Sequence, residues 1–415
     1  MPNVTHHQVL IIGGGTAGVT VAAILRRRSR NIDIAIVEPN EQHYYQPALT
    51  LVGAGVYPLA KTHRPEANVI PAGVSWIRGA AKTFEPEQNT VRLQNGDALT
   101  YDYLVVCTGV KLDWGKIAGL SDAIGRNGVC SNYSPSTVSY TWDCVQRLKA
   151  GDKIVCTQAP MPFKCPGAPQ KIIYLIADRL RRRGILKDCK LDFYTHAPAI
   201  FGVPYFARAL VKVAASYGIN VHYQQNLVAV DGATRTATFE FVGDTRKGER
   251  ENVSFDLLHV SPPQSPHDEI KSSPLANAAG WVDVNQNTLQ HVRYANIYSL
   301  GDVCSTPNSK TAAAVRKQAP VIAGEILSAI AGKLIAGSYD GYASCPLTTA
   351  IGKTILAEFC YGGKVTPTLP LIPDRERWVG WWIKLTGLPL MYWNYMLKGY
   401  VWFPRHNTDF KETTS

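Results

Sequence analysis

Lys164-Cys165-Pro166-Gly167 places a thiol one residue after a cation and just ahead of a segment in which Ile172, Leu175, Ile176, Ala177 and Leu180 recur at helical spacing. A neighbouring ammonium and a helix N-terminus both favour the thiolate, the nucleophilic form of cysteine. Such a sulfur needs a partner. The chain holds nine cysteines, unevenly spaced, and no C-x-x-C, so it shows neither a secreted disulfide framework nor a zinc-finger spacing, and no metal is expected. Cys107, Cys156 and Cys189 lie in or beside apolar strand patterns and read as structural. Cys304, after Gly301-Asp302, and Cys345, in a Ser-Cys-Pro sequence, are the candidates, with Cys345 preferred, and sequence separation neither supports nor forbids a bridge from Cys165 to either.

The elements around Cys165 read as strand (154–156), turn and helix, the form of a dinucleotide-binding unit. In such a unit the turn carries glycines that let a pyrophosphate reach the helix N-terminus. Here it carries the thiol. The unit's second strand, 191–195, runs into Thr195-His196-Ala197 and offers no acid to a ribose. The region 151–280 therefore has the outline of a nicotinamide domain without its binding residues, and electrons are expected to enter through Cys165 instead.

A second unit of the same kind is complete. A strand at 8–12 precedes Gly13-Gly14-Gly15-Thr16-Ala17-Gly18, a helix follows at 19–27, and the next strand, 31–38, ends in Glu38, 20 positions beyond Gly18. Glycines permit the tight turn and close approach of a pyrophosphate, and the acid can accept a ribose hydroxyl. Two later buried strands end in Thr108-Gly109 and Gly301-Asp302, the latter shortly before a helix at 310–330.

The 415 residues allow two or three domains. With 43 basic and 32 acidic residues the net charge is +11, which suits an anionic partner. The basic run Arg179-Leu180-Arg181-Arg182-Arg183 reads as a solvated helix end, so no nucleic acid is expected. No apolar run of ~18 residues suggests a spanning helix. The first strand begins at residue 8, which is read as leaving no room for a leader. The tail, 374–405, carries Trp378, Trp381, Trp382, Trp393 and Trp402. Trp378, Trp381, Trp382 and Leu385 fall on one helical face, Pro389 is expected to split the stretch into two short helices, and Arg375, Arg377, Lys384, Lys398 and Arg405 flank it. That composition reads as an in-plane membrane anchor.

The three landmarks, in this order, resemble the glutathione-reductase-like flavoproteins with two dinucleotide folds. The likeness narrows further. Lys164-Cys165-Pro166-Gly167-Ala168-Pro169-Gln170-Lys171, Gly280-Trp281-Val282-Asp283-Val284, Leu289-Gln290-His291-Val292-Arg293-Tyr294, Lys310-Thr311-Ala312-Ala313-Ala314-Val315, Ser344-Cys345-Pro346-Leu347 and His43-Tyr44-Tyr45-Gln46-Pro47 resemble sulfide:quinone oxidoreductases of the mitochondrial-like, type II branch. The resemblance implies an α/β fold of two Rossmann-like domains, the second inserted in the first, plus a C-terminal element and an amphipathic tail. The division is 1–112 (first FAD-binding part), 113–150 (connector), 151–280 (second domain), 281–338 (second FAD-binding part), 339–373 (element over the flavin) and 374–415 (tail).

The resemblance also implies FAD held by Gly13, Gly15, Thr16, Ala17, Gly18, Glu38, Gln46, Ala81, Thr108, Gly109, Asp302, Lys310 and Thr311. It implies a redox disulfide between Cys165 and Cys345, the latter in a Ser-Cys-Pro turn; Cys345 is favoured as the side that sulfide attacks and Cys165 as the side that faces the flavin, an order the sequence leaves open. Hydrogen sulfide is the substrate, a thiol, sulfite or second sulfide takes the sulfane sulfur, and a ubiquinone-type quinone takes the electrons, with Phe359 or Tyr361 near it. The protein is expected to be monotopic on an energy-transducing membrane, the bacterial inner membrane first. Cys130 is read as a loop thiol rather than a flavin tether. The alternatives are a sulfide dehydrogenase flavoprotein of a cytochrome c complex, a type II NADH:quinone dehydrogenase, which would need glycines near 159–167, and a membrane redox sensor.

Overall fold

The computed structural model describes residues 4–333, 337–401 and 406–411. The first sheet is built on Val4–Ile12, which pairs in parallel with Ile34–Val37 on one side and Ala98–Val106 on the other. Ser75–Ile77 extends the first edge, and Thr90–Leu93 and Ala81–Glu85 extend the second as antiparallel strands. Ile297–Ser299 returns from far along the chain to pair in parallel with Ala98–Val106. Val9, Leu10, Ile11 and Ile12 are all buried, the continuous apolar run of a strand covered on both faces. Helices Thr16–Arg28 and Ala312–Ile330 cover one of those faces. Gly18 makes this packing possible: a Cβ there would sit 1.9 Å from the Gly13 carbonyl oxygen.

The second sheet is wholly parallel, in the order Val129–Cys130, Leu257–His259, Lys153–Gln158, Lys190–Thr195, Ile219–Tyr223. The stretch 113–150, expected as a connector, supplies the strand Val129–Cys130 and the helix Pro135–Arg147 to this sheet.

Helix Ala168–Arg182 follows the Cys165 turn, and twelve of its 15 residues are buried. An amphipathic helix on a sheet would bury only a stripe. This one is covered on its far side by the antiparallel hairpin Ala343–Ala350 and Lys353–Phe359. Cys345 therefore lies within a strand, paired opposite Ala357, and not in the turn expected from Ser-Cys-Pro. Asp178 locks hairpin to helix. Its fully buried carboxylate accepts bonds from Arg182 Nε at 2.8 Å, from the Ile351 N–H at 3.0 Å and from Arg181. Burial pushes this carboxyl up, yet the bonds from Arg182, Ile351 and Arg181 outweigh it and hold it below the usual range.

The tail departs from the expected pattern. Trp378–Trp382, Ile383–Gly387 and Leu388–Asn394 run on as one helical stretch, the middle part a π-turn. Pro389, which lacks an N–H, sits just after that turn, so the missing bond is absorbed by a wider turn instead of a break. Nor is there a single exposed face. Trp381, Tyr392 and Trp393 are buried, while Trp378 and Trp382 are 68% and 49% exposed. Trp402 and Arg405 lie outside the described residues.

Replacing Asp178 with Ala would leave Arg181, Arg182 and the Ile351 N–H short of an acceptor. The expected outcome is a loss of about 2 kcal/mol, read as a lower midpoint in thermal unfolding of the flavin-loaded protein.

Candidate active site

A cavity of about 820 Å³ opens between the first sheet, the Cys165 turn and the tail. Its lining includes Gly13, Gly15, Thr16, Ala17, Glu38, Gln46, Thr108, Gly109, Asp302, Lys310 and Thr311, drawn from five separate segments. Gly13 has φ +108°, and a Cβ there would strike the Cys107 carbonyl oxygen at 2.5 Å, so the turn demands glycine. Glu38 is fixed at the loop: Oε2 accepts the Gly14 N–H at 2.7 Å, and Oε1 accepts the Asn40 N–H at 2.8 Å and Nδ2 at 2.6 Å. Burial raises the carboxyl of Asp302, which Lys310 and Lys164 partly offset. Thr108 Oγ1 and Tyr133 Oη are buried on this lining without a hydrogen-bond partner among the described residues. Two waiting polar atoms, a glycine turn and a helix N-terminus fit a flavin dinucleotide.

Cys165 is held in the left-handed region, at φ +50°. A non-glycine residue there costs energy and persists when its surroundings over-determine it. The determinants are close by: its N–H donates to the Lys310 carbonyl at 2.9 Å and its own carbonyl accepts the Ala168 N–H at 2.8 Å. Its Sγ lies 3.8 Å from Cys345 Sγ. Gly167 allows that approach, since a Cβ at this position would stand 2.5 Å from Cys345 Sγ and 2.5 Å from Leu347. The helix N-terminus that would cradle a nicotinamide dinucleotide is thus filled by the hairpin.

Lys171 points its Nζ at both sulfurs, 3.2 Å from Cys165 and 3.7 Å from Cys345, and is buried. The Cys165 thiol is pulled well below the ordinary range: a bond from Cys345 leads, burial opposes it, and Lys171 and Lys384 add to the pull. Cys345 moves the opposite way, as the donor to Cys165 and through burial. In the reduced pair these opposed shifts favour a thiolate at Cys165 and a thiol at Cys345. Burial would lower Lys171, but the two sulfurs hold its ammonium charged. Lys384 is buried too, with Nζ on the Pro47 carbonyl at 2.7 Å, and burial followed by repulsion from Lys171 brings it down to about 7.

Several expectations change. Lys164, proposed as the thiolate's cation, instead donates to Gln46 Oε1 at 2.7 Å. Lys384, expected to flank the tail, is instead buried, with its ammonium on the Pro47 carbonyl. Ala81 is buried in the core between Phe84, Val91 and Leu93, off the lining. Phe359 packs on Phe201 and the Tyr361 hydroxyl bonds the Gln286 carbonyl, so neither reaches the cavity. Cys130 is no loop thiol: it is fully buried in the second sheet's core, away from the lining. Cys304 turns its sulfur to the Gly301 carbonyl and Thr306. Sequence reasoning passed over Lys171, although a lysine on a continuously apolar helix was a signal, since buried lysines are rare without a partner.

The family described as pyridine nucleotide-disulphide oxidoreductase matches residues 7–135. The chain is 42% identical over 408 residues to the mitochondrial sulfide:quinone oxidoreductase of Dictyostelium discoideum, covering 98% of this chain and 88% of that protein. It is 40% identical to the mitochondrial sulfide:quinone oxidoreductase of Mus musculus, covering 95% and 87%. The solved sulfide:quinone oxidoreductase of Aquifex aeolicus superposes with a TM-score of 0.79 at 21% identity, over 96% of this chain and 92% of that one.

If Lys171 sustains the thiolate, its removal must raise the Cys165 pKa. In the reduced flavin-loaded protein, alkylation of Cys165 by iodoacetamide is expected to reach half its limiting rate well below pH 9. Lys171→Met is expected to move that midpoint up by about a unit or more, with peptide mapping identifying the labelled residue.

Proposed function

The chain belongs to the sulfide:quinone oxidoreductase family, and on that premise we propose that it oxidises hydrogen sulfide through the Cys165–Cys345 pair and delivers two electrons to a quinone. The observation that carries this is two thiols 3.8 Å apart, with a buried ammonium on both, at the wall of a dinucleotide-shaped cavity. FAD is the cofactor, with Gly13, Gly15, Thr16, Ala17, Glu38, Thr108, Gly109, Asp302, Lys310 and Thr311 to hold it; when bound it supplies a two-electron acceptor beside the sulfurs and a donor to the quinone. The residues 113–150 are better grouped with the second domain than left as a connector.

In the oxidised pair, hydrosulfide attacks Cys345 Sγ and the S–S bond breaks. The new S–S bond makes a persulfide on Cys345, and Cys165 leaves as the thiolate. A lower-pKa thiol leaves faster, and the opposed shifts of the two cysteines support this assignment. Lys171 neutralises the charge that appears. A second nucleophile (thiol, sulfite or sulfide) then attacks the outer sulfur and carries it off, leaving Cys345 as the second thiolate. Closing the disulfide releases two electrons.

The cavity's apolar wall, Leu356, Leu369, Ile383, Leu388 and Met391, runs into the tail and is the proposed path for a quinone. Among the described residues no helix is long and apolar enough to cross a membrane. Trp378, Trp382 and Leu390 are 68%, 49% and 52% exposed on the tail, which supports in-plane attachment to an energy-transducing membrane. The relatives from D. discoideum and mouse are mitochondrial, which gives the bacterial inner membrane no support.

Anaerobic sulfide is expected to bleach the flavin, and a short-chain quinone to restore it. Cys165→Ser and Cys345→Ser should each slow bleaching at least a hundredfold, and bleaching at the wild-type rate in either would sink the proposal. NADH should leave the spectrum unchanged; reduction by NADH would favour the dehydrogenase alternative. In flotation with anionic vesicles, Trp378→Ser/Trp382→Ser is expected to lower partitioning tenfold or more, with flavin bleaching by sulfide intact.

A further inference from the structure

Just outside the cavity's lining three side chains meet, Asp340, Cys360 and His406, whose oxygen, sulfur and nitrogen all lie within 4.8 Å of one another. Each is anchored independently. The Tyr361 N–H donates to the Asp340 carbonyl at 3.1 Å, tying the first two segments together. The Cys360 N–H donates to the Lys364 carbonyl at 2.9 Å, closing a tight turn that presents the thiol. His406 stacks on Tyr342 at 4.8 Å between ring centroids, and the next residue, Asn407, donates its N–H to the Pro367 carbonyl at 2.9 Å.

The arrangement is not that of a proton relay. A relay uses both imidazole nitrogens, one toward the thiol and one toward the acid. Here Asp340 Oδ2, at 2.7 Å, and Cys360 Sγ, at 3.7 Å, both approach the same atom, His406 Nε2. An oxygen, a sulfur and a nitrogen within 4.8 Å of one another can supply three ligands of a tetrahedral cation with a fourth position open to water. With typical zinc bond lengths the tetrahedral edges are ~3.5 Å for S···N and ~3.4 Å for N···O. The first is met within ~0.2 Å. The second requires Asp340 Oδ2 to withdraw by ~0.7 Å, a rotation of its half-exposed carboxylate about the Oδ1 that accepts the Tyr342 N–H at 3.0 Å.

We propose that Asp340, Cys360 and His406 form a binding site for a borderline-soft divalent cation, zinc foremost, which staples the tail to the C-terminal hairpin. A thiolate, an imidazole and a carboxylate suit zinc; magnesium and calcium prefer all-oxygen sets. Binding forms three ligand bonds, displaces the Asp340–His406 hydrogen bond and releases the Cys360 thiol proton. No electron is transferred.

The test is a zinc titration of the reduced flavin-loaded protein against a metallochromic chelator. Wild type is expected to take one tight equivalent, and Cys360→Ser and His406→Ala each to weaken it tenfold or more with flavin content unchanged. Cys165→Ser/Cys345→Ser controls for capture by the redox pair and should keep the site. With zinc, the tail should also become harder to clip by protease in wild type but not in His406→Ala. Affinity unchanged in both single variants, or lost in the redox-pair variant, would overturn the proposal, as would no binding at micromolar zinc.

Discussion

The approach of the Cys345 strand to the first turn of helix Ala168–Arg182 is the constraint on which the rest depends. Gly167 permits it: any side chain there would occupy the space of the Cys345 sulfur and the Leu347 methyl. One glycine thereby converts a helix N-terminus, which in related architectures receives a dinucleotide phosphate, into a seat for a sulfur pair. The same contact closes the site to a nicotinamide, because the hairpin already occupies it.

Placing a thiolate there has a cost that the surroundings meet. Cys165 is strained at positive φ, and Lys310 and Ala168 hold its backbone. A buried ammonium would ordinarily give up its proton, but Lys171 keeps it because two sulfurs share the pocket. Lys384 is instead pushed down to about 7, by burial first and then by repulsion from Lys171. Sulfur and nitrogen therefore stabilise one another's ionised forms, and neither would be stable alone at that depth.

The tail joins three functions that its composition had merged into one. Trp381, Tyr392 and Trp393 belong to the core. Tyr392 also reaches helix Thr16–Arg28, with its hydroxyl 2.8 Å from Thr16 Oγ1 and 2.6 Å from His43 Nε2. Lys384 turns inward to the Pro47 carbonyl, and Trp378 and Trp382 face outward. A helical projection could not separate these roles, because the π-turn rotates the second half of the stretch relative to the first and the hairpin covers only one side.

By itself the sequence determined what depends on local pattern. The glycine turn after an apolar strand, Glu38 at its spacing, the Gly301-Asp302 return and the lack of a glycine-rich loop over 159–167 are properties of neighbouring residues, and the periodicities of strand and helix expose them. Tertiary structure decided what depends on long-range approach. The Cys165–Cys345 distance, the inward turn of Lys384 to Pro47, the burial of Cys130 and the meeting of Asp340, Cys360 and His406 join segments up to 337 positions apart. No periodicity encodes such meetings, because they follow from how sheets and hairpins stack, and a side chain's charge state follows from the neighbours it meets there.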